Sequence, residues 1–434
     1  MKLKTIYICS ACGQDSPRWA GQCLKCQAWN TLVEDVVDLS PKKQITIKTP
    51  AVKPIDLNHK TGKPAGRLIT GISELDRVLG GGFQHDGITL LVGDPGIGKS
   101  TLTLQICDRM AALGRSVIYF SGEESMEQIS ARAGRLGLSG QIGFINQNSL
   151  EVILSTIAAE KPGFVVVDSV QVMSSELIPS QAGSVSQVRT VAEQLMQTAK
   201  SSGIPILLIG HVTKEGQLAG PQVLTHLVDT VLYLEGDKFH QFRLLRTTKN
   251  RFGTIDEVGV FRMAESGLEE VKNPSALFLE GRAKDPIGSV ICPVLEGTRT
   301  FLVEVQALTN YTQFGYPKRT ANGFDLNRLN IIIAVLNRYA NLKLDSSDVF
   351  VNVVGGIELR EPAADLAVAM AIASSKLQKP LPADLVVMGE VGLSGEVRQV
   401  VQAEKRLKEA KKLGFEKIWS PPTTKSIADA VKLL

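Results

Sequence analysis

The residues Gly93-Asp94-Pro95-Gly96-Ile97-Gly98-Lys99-Ser100 spell G-x-x-x-x-G-K-S, with an apolar run at 88–92 before them and a helical pattern at 101–113 after them. That order leaves few folds open. A strand must deliver the chain to a tight glycine turn, and a helix must follow with its positive end aimed at an anion. The glycines let backbone N–H groups curl round the β- and γ-phosphates. Lys99 is placed to bridge β- and γ-oxygens, and the Ser100 hydroxyl to hold Mg²⁺. Gly93 to Ser100, with Thr101 beside them, are the expected contacts of a nucleoside triphosphate.

At 434 residues the chain exceeds one compact core, and length suggests two to four domains. Its net charge of +4 (48 basic against 44 acidic residues) is too small to announce a nucleic-acid binder, so any such role must rest on local features. The start lacks the apolar core of a signal peptide, and no stretch approaches membrane-spanning length. Four of the six cysteines fall within the first 26 residues, which points to metal ligation in a reducing compartment instead of disulfides. The expectation is a cytoplasmic protein without a membrane partner.

Those four are Cys9-x-x-Cys12 and Cys23-x-x-Cys26, two knuckles suited to one tetrahedral Zn²⁺ at about 2.3 Å per thiolate. The site should be structural. So short a segment buries little core, and the metal would supply its folding energy. Trp19 and Trp29 are expected to pack over the knuckles. A zinc finger at residues 1–38 is therefore followed by a proline- and lysine-rich linker at 39–64, where periodicity is lost from about Val36.

Residues 65–272 alternate strand and helix patterns as a parallel sheet demands. Strands are expected at 116–120, 164–168, 206–209, 230–234 and 241–246, and helices at 150–160 and 185–201. Ligands of such sheets bind beyond the carboxyl ends of the strands. Ser100, Glu123, Asp168 and His211 all fall at or just past such ends. Asp168, ending an apolar run, fits the Mg²⁺ shell. Glu123 or Glu124 would orient the attacking water. Position favours Glu123, although Ser121 could instead cap a helix whose first turn holds both acids. His211 fits a γ-phosphate sensor. Lys249-Asn-Arg251-Phe-Gly253 follows the last strand candidate of this segment, and its cations look able to enter a neighbour's site as an arginine finger in trans. Residues 273–434 form another α/β region, with strands at 289–295, 301–308, 349–354 and 385–388 and helices at 326–338, 363–376 and 404–413.

The cysteine quartet, GDPGIGKS, the Val-Val-Val-Asp168 strand and above all Lys249-Asn-Arg-Phe-Gly resemble the bacterial RadA (Sms) family over essentially the whole chain. The resemblance implies an α/β protein with a four-cysteine zinc finger, a RecA-like P-loop core and a Lon protease-like α+β C-terminal domain. It implies an ATPase that forms a hexameric ring on single-stranded and branched DNA and acts as a DnaB-like branch-migration motor beside RecA recombinase. Glu123 then matches the catalytic glutamate, and Lys249 and Arg251 match residues that sense a neighbour's ATP. The Lon-like domain needs a serine nucleophile and a lysine base. In Glu361-Pro-Ala-Ala-Asp365 alanine stands at the serine position, Ala363. Gly389–Gly395 resembles the loop ahead of the lysine, and counting forward puts Glu404 at the base position with Lys405 beside it. A scaffold, not an ATP-dependent protease, is expected. The other alternative is a RecA-fold ATPase serving as a signalling scaffold. DNA contacts are expected from the loops 174–186 and 213–221, the latter with Lys214, and from Lys318, Arg319 and Arg328 around the loop 310–322.

Overall fold

The computed structural model describes residues 3–38, 66–211, 222–236, 242–283, 286–312, 315–355 and 357–434. The linker expected at 39–64 and the loop 213–221 with Lys214 lie outside the described residues. The chain divides into two compact units, Met1–Glu270 and Val271–Leu434.

The first unit begins with a ribbon. Strands β1 (Leu3–Cys9), β2 (Asp15–Ser16) and β3 (Leu32–Asp38) pair antiparallel in the order β2-β1-β3. Strand β3 continues past Val36, where the alternating pattern is lost, because β1 supplies a complete ladder of partners up to Leu3↔Asp38.

The rest of the unit is a nine-stranded sheet. In chain order it comprises α1 (Ser73–Leu79), β4 (Ile88–Gly93), α2 (Lys99–Ala112), β5 (Val117–Ser121), α3 (Met126–Arg135), β6 (Ile142–Asn146), α4 (Leu150–Glu160), β7 (Phe164–Asp168), α5 (Val185–Ser202), β8 (Ile206–Ile209), α6 (Gln222–Leu227), β9 (Thr230–Glu235), β10 (Phe242–Asn250), β11 (Val258–Ala264) and β12 (Gly267–Glu270). The strand order is β12-β11-β10-β9-β4-β8-β7-β5-β6, parallel from β9 to β6 and antiparallel beyond β9. Strands β4, β5, β7 and β8 are buried along their whole length, as parallel strands covered on both faces must be. One apolar cluster lies on each face.

Two expectations change here. Ser121 ends β5 and caps no helix. The helix after it starts at Met126 behind Ser125, whose hydroxyl and backbone amide form a capping box with Gln128. Lys249 and Asn250 do not follow the last strand: they belong to β10, and β11 and β12 come after them.

The second unit runs α7 (Pro274–Phe278), β13 (Ser289–Glu296), β14 (Arg299–Tyr311), β15 (Arg319–Asn322), α8 (Leu326–Ala340), β16 (Ser347–Val353), α9 (Asp365–Leu377), β17 (Leu385–Val387), β18 (Glu390–Val391), β19 (Val397–Arg398), α10 (Ala403–Lys412), β20 (Lys417–Trp419) and α11 (Ile427–Lys432). Its six-stranded mixed sheet has the order β15-β16-β14-β13-β17-β20. Helix α9 is buried from Asp365 to Ser375, which accounts for its unbroken small and apolar sequence. Among the described residues no helix is long and apolar enough to cross a membrane.

Candidate functional site

Strand β4 ends in Gly93, and the loop that follows returns into α2 at Lys99. Two glycines are required by contact as well as by backbone angle. At Gly93 (φ +154°) a Cβ would meet the Leu234 carbonyl oxygen at 2.2 Å, and at Gly98 (φ +116°) it would meet Met263 Cε at 2.8 Å. Gly98 caps α2 without a side chain, so no side chain occupies the first-turn N–H groups. Lys99 is 4% exposed, and its Nζ donates to the carbonyls of Gly93 (2.7 Å) and Asp94 (3.0 Å). Burial lowers its pKa, opposed by Asp168, Asp94 and Glu123.

Beside the loop, parallel pairing sets the ends of β5 and β7 level, Ser121 against Asp168. Tyr119 donates a 2.5 Å hydrogen bond to Asp168 Oδ2, and burial raises the Asp168 carboxyl above the usual range. Glu123 accepts a hydrogen bond from the Ser169 hydroxyl and lies 3.5 Å from His211 Nε2. The His211 contact holds its carboxyl below the usual range against desolvation. Donor atoms of Glu123, Asp168 and His211 all lie within 4.8 Å of one another. Glu124 points elsewhere: Arg132 takes both its oxygens at 2.6 Å.

Lys249 and Arg251 are not brought to this rim. Lys249 pairs with Val231 of β9, level with Leu90 of β4, whereas Gly93 pairs with Leu234. Three residues separate the two levels, about 10 Å along the strands. Lys249 Nζ instead donates to the carbonyls of Thr225 (2.6 Å), His226 (3.2 Å) and Val228 (2.7 Å) at the end of α6. Arg251 pairs with the buried Asp229 at 3.3 Å. Arg67, unmarked in the sequence pattern, fixes this loop by donating to the carbonyls of Phe252 and Leu79.

In the ribbon, Cys9 and Cys26 Sγ lie 3.6 Å apart, and Cys12 and Cys23 Sγ 3.7 Å apart. A tetrahedron with 2.3 Å Zn–S bonds has edges of about 3.8 Å, so the quartet fits one zinc ion. Backbone amides of Cys26 and Lys25 lower the Cys23 thiol to about 6, toward the thiolate that zinc requires. Trp19 and Trp29 are exposed and do not seal the knuckles; among the described residues Cys9, Cys23 and Leu32 form the ribbon's small apolar core.

Three family models match successive segments of the chain. Residues 7–34 match a rubredoxin metal binding domain, 54–217 an AAA domain, and 311–424 subunit ChlI of Mg-chelatase. DNA repair protein RadA of Bacillus subtilis is 47% identical over 97% of this chain and 93% of its own length. That of Aquifex aeolicus is 46% identical over 100% and 96%, and that of Pseudomonas aeruginosa 47% over 97% and 93%. The chain belongs to the RadA family. The solved structure of an ATPase domain aligns with 49% of this chain and 94% of its own, at 14% identity and TM-score 0.41.

The expected fold class is thus the observed one: zinc ribbon, P-loop ATPase core and Lon-like C-terminal domain. In this RadA-family chain two positions of the Lon-like unit carry neither a serine nor a lysine. Ala363 is buried and has no hydroxyl, and Glu404, at the base position, is exposed. Lys405 Nζ donates to the Thr298 carbonyl, and Arg406 closes on Glu361 at 2.6 and 2.5 Å. The basic group expected around 310–322 is largely engaged. Arg328 pairs with Asp365 at 2.5 and 2.7 Å, and Arg319 donates to the Ser347 and Leu344 carbonyls.

Proposed function

We propose that this chain is a DNA-dependent ATPase that assembles into a hexameric ring and moves single-stranded and branched DNA during recombinational repair, in the cytoplasm and alongside RecA recombinase. The observation that carries this reading is the split of the site across the sheet. Lys99, Glu123, Asp168 and His211 stand at the carboxyl rim, while Lys249 and Arg251 stand toward the opposite end of β10, out of reach of their own phosphate loop. A ring places one subunit's far edge against the next subunit's nucleotide and completes the site in trans.

In that site backbone N–H groups of 93–101 and Lys99 hold the phosphates, and Ser100 and Asp168 would hold Mg²⁺, which supplies charge neutralisation at the γ-phosphate. Glu123, kept ionised by His211, orients the attacking water and receives its proton. His211, 3.5 Å from Glu123, would sense the γ-phosphate. Arg251 of the next subunit meets the charge that develops on the leaving phosphates.

Steady-state ATPase with and without single-stranded DNA, run beside unwinding of forked and three-stranded substrates, tests this function. Stimulation together with unwinding is expected. Hydrolysis indifferent to every DNA form would leave an ATPase that does not translocate.

A further inference from the structure

We propose that Arg243 is a positioning residue for ATP: it sets the phosphate loop by holding the Ile97 carbonyl from behind. Arg243 stands at the start of β10, beyond the motif in sequence, and is 5% exposed. Its Nε donates to the Ile97 carbonyl oxygen at 3.1 Å, and its Nη1 donates to the Phe242 carbonyl at 2.8 Å. Ile97 lies between the two glycines that give the loop its curl, and its side chain is locked in the core.

A trans peptide is planar, with C=O and N–H pointing in opposite directions. Fixing the Ile97 oxygen toward Arg243 therefore turns the Gly98 N–H to the other face of the loop, where phosphate oxygens are bound. The neighbouring strands close the same point. Met263 and Leu268 pack against Gly98, and the Gln105 amide of α2 is paired both ways with the Leu268 backbone, donating at 3.1 Å and accepting at 3.0 Å. The antiparallel strands beyond β9 thus form a brace for the loop, with Arg243 as its charged contact.

An N–H that touches phosphate equally in substrate and transition state contributes uniform binding, so its loss raises KM without lowering kcat. The inference rests on 93–101 being the phosphate-binding loop, and the test separates the two. Arg243→Gln and Arg243→Lys are made in the full chain, with Lys99→Ala as control. The readouts are kcat, KM for ATP, affinity for a fluorescent ADP and thermal melting. Arg243→Gln is expected to raise KM and the ADP Kd on the order of tenfold, the loss of one charge-assisted hydrogen bond, with kcat held. Arg243→Lys, which keeps a cationic donor, recovers part of that loss. Wild-type affinity in both variants, a fall in kcat at constant KM, or failure of both to fold overturns the role of Arg243. Undiminished ADP binding in Lys99→Ala overturns the phosphate loop itself.

Discussion

Arg132 closes on Glu124 with two 2.6 Å hydrogen bonds, and so separates the fates of two adjacent glutamates. Glu124 is fixed to α3, while Glu123 is left facing Ser169 and His211 at the nucleotide rim. Glu123→Gln is expected to lower kcat on the order of 100-fold or more while ATP still binds, as removal of a general base should. Glu124→Gln keeps kcat near wild type and costs about 1 kcal/mol or less, the worth of a partly exposed ion pair. Single-turnover hydrolysis with thermal melts of both variants checks this, and equal losses of kcat would remove the assignment to Glu123.

The proposed ring, in which Lys249 and Arg251 complete a neighbour's site, predicts complementation. Lys249→Ala and Lys99→Ala each lose DNA-stimulated hydrolysis, for different reasons: one lacks the group given to a neighbour, the other cannot grip its own phosphates. Lys99→Ala is expected to keep the ring, because Lys99 is tied to its own loop carbonyls. Co-assembled rings of the two variants contain some interfaces with an intact loop facing an intact Lys249. Hydrolysis by those rings should exceed that of either parent. Rings that stay inactive at every mixing ratio would place Lys249 in its own subunit's chemistry or in folding alone.

The ribbon makes a prediction about the loop 174–186. Its Asp35 accepts a 2.6 Å hydrogen bond from Ser186, and Gln187 binds the same loop through the carbonyls of Ser175, Ile178 and Ser180. Removing zinc with a chelator, or replacing Cys23 by Ser, should unfold the ribbon, whose apolar core is too small to stand alone. One of the loop's supports is then lost, while Gln187 and Glu151, which accepts from Ser175 and Glu176, still hold it. Protease cleavage within 174–186 is therefore expected to quicken while ATPase without DNA persists. Gln187→Ala should loosen the loop with zinc in place. Cleavage unchanged by chelation would mean that the ribbon gives the loop no support.

Strong local patterns made much of this legible. Phe164–Asp168, Leu150–Glu160 and Ile206–Ile209 have the bounds their sequence implies, because apolar runs define the two strands and Ser149 caps the start of the helix. Strands β11 and β12 went unread: the Val258–Ala264 pattern has meaning only once β10 lies beside it. Helix α3 carried a readable signal, Ser125-x-x-Gln128, obscured by the equally plausible Ser121. Arg243 and Arg67 could not be read at all. Each acts on a backbone carbonyl far away in sequence, and a carbonyl leaves no trace in residue type.

The Lon-like unit invites a direct test of what replaced its chemistry. Ala363→Ser places a hydroxyl at the nucleophile position, while Glu404 is exposed and Lys405 donates to the Thr298 carbonyl. Casein turnover should stay at background in Ala363→Ser and in Ala363→Ser with Glu404→Lys. Detectable turnover in the single variant would show that a group other than Glu404 and Lys405 serves as the base. The pair that matters here is Arg406 with Glu361. Arg406 is 1% exposed, spans Glu361 with two short hydrogen bonds and also donates to the Pro293 carbonyl at 2.7 Å. It ties α10 to the end of β13 and to the segment that carries Ala363. Arg406→Ala leaves the Glu361 carboxylate without its cation, held by the Leu295 N–H at 2.8 Å, and removes the donor to the Pro293 oxygen, at a cost of about 3 kcal/mol to this unit. Arg406→Ala with Glu361→Ala should recover part of that loss, because no carboxylate is then left without its cation. Denaturant melts of the wild type, Arg406→Ala, Glu361→Ala and the double variant measure the coupling, and additive losses would show that the two side chains stabilise the unit independently.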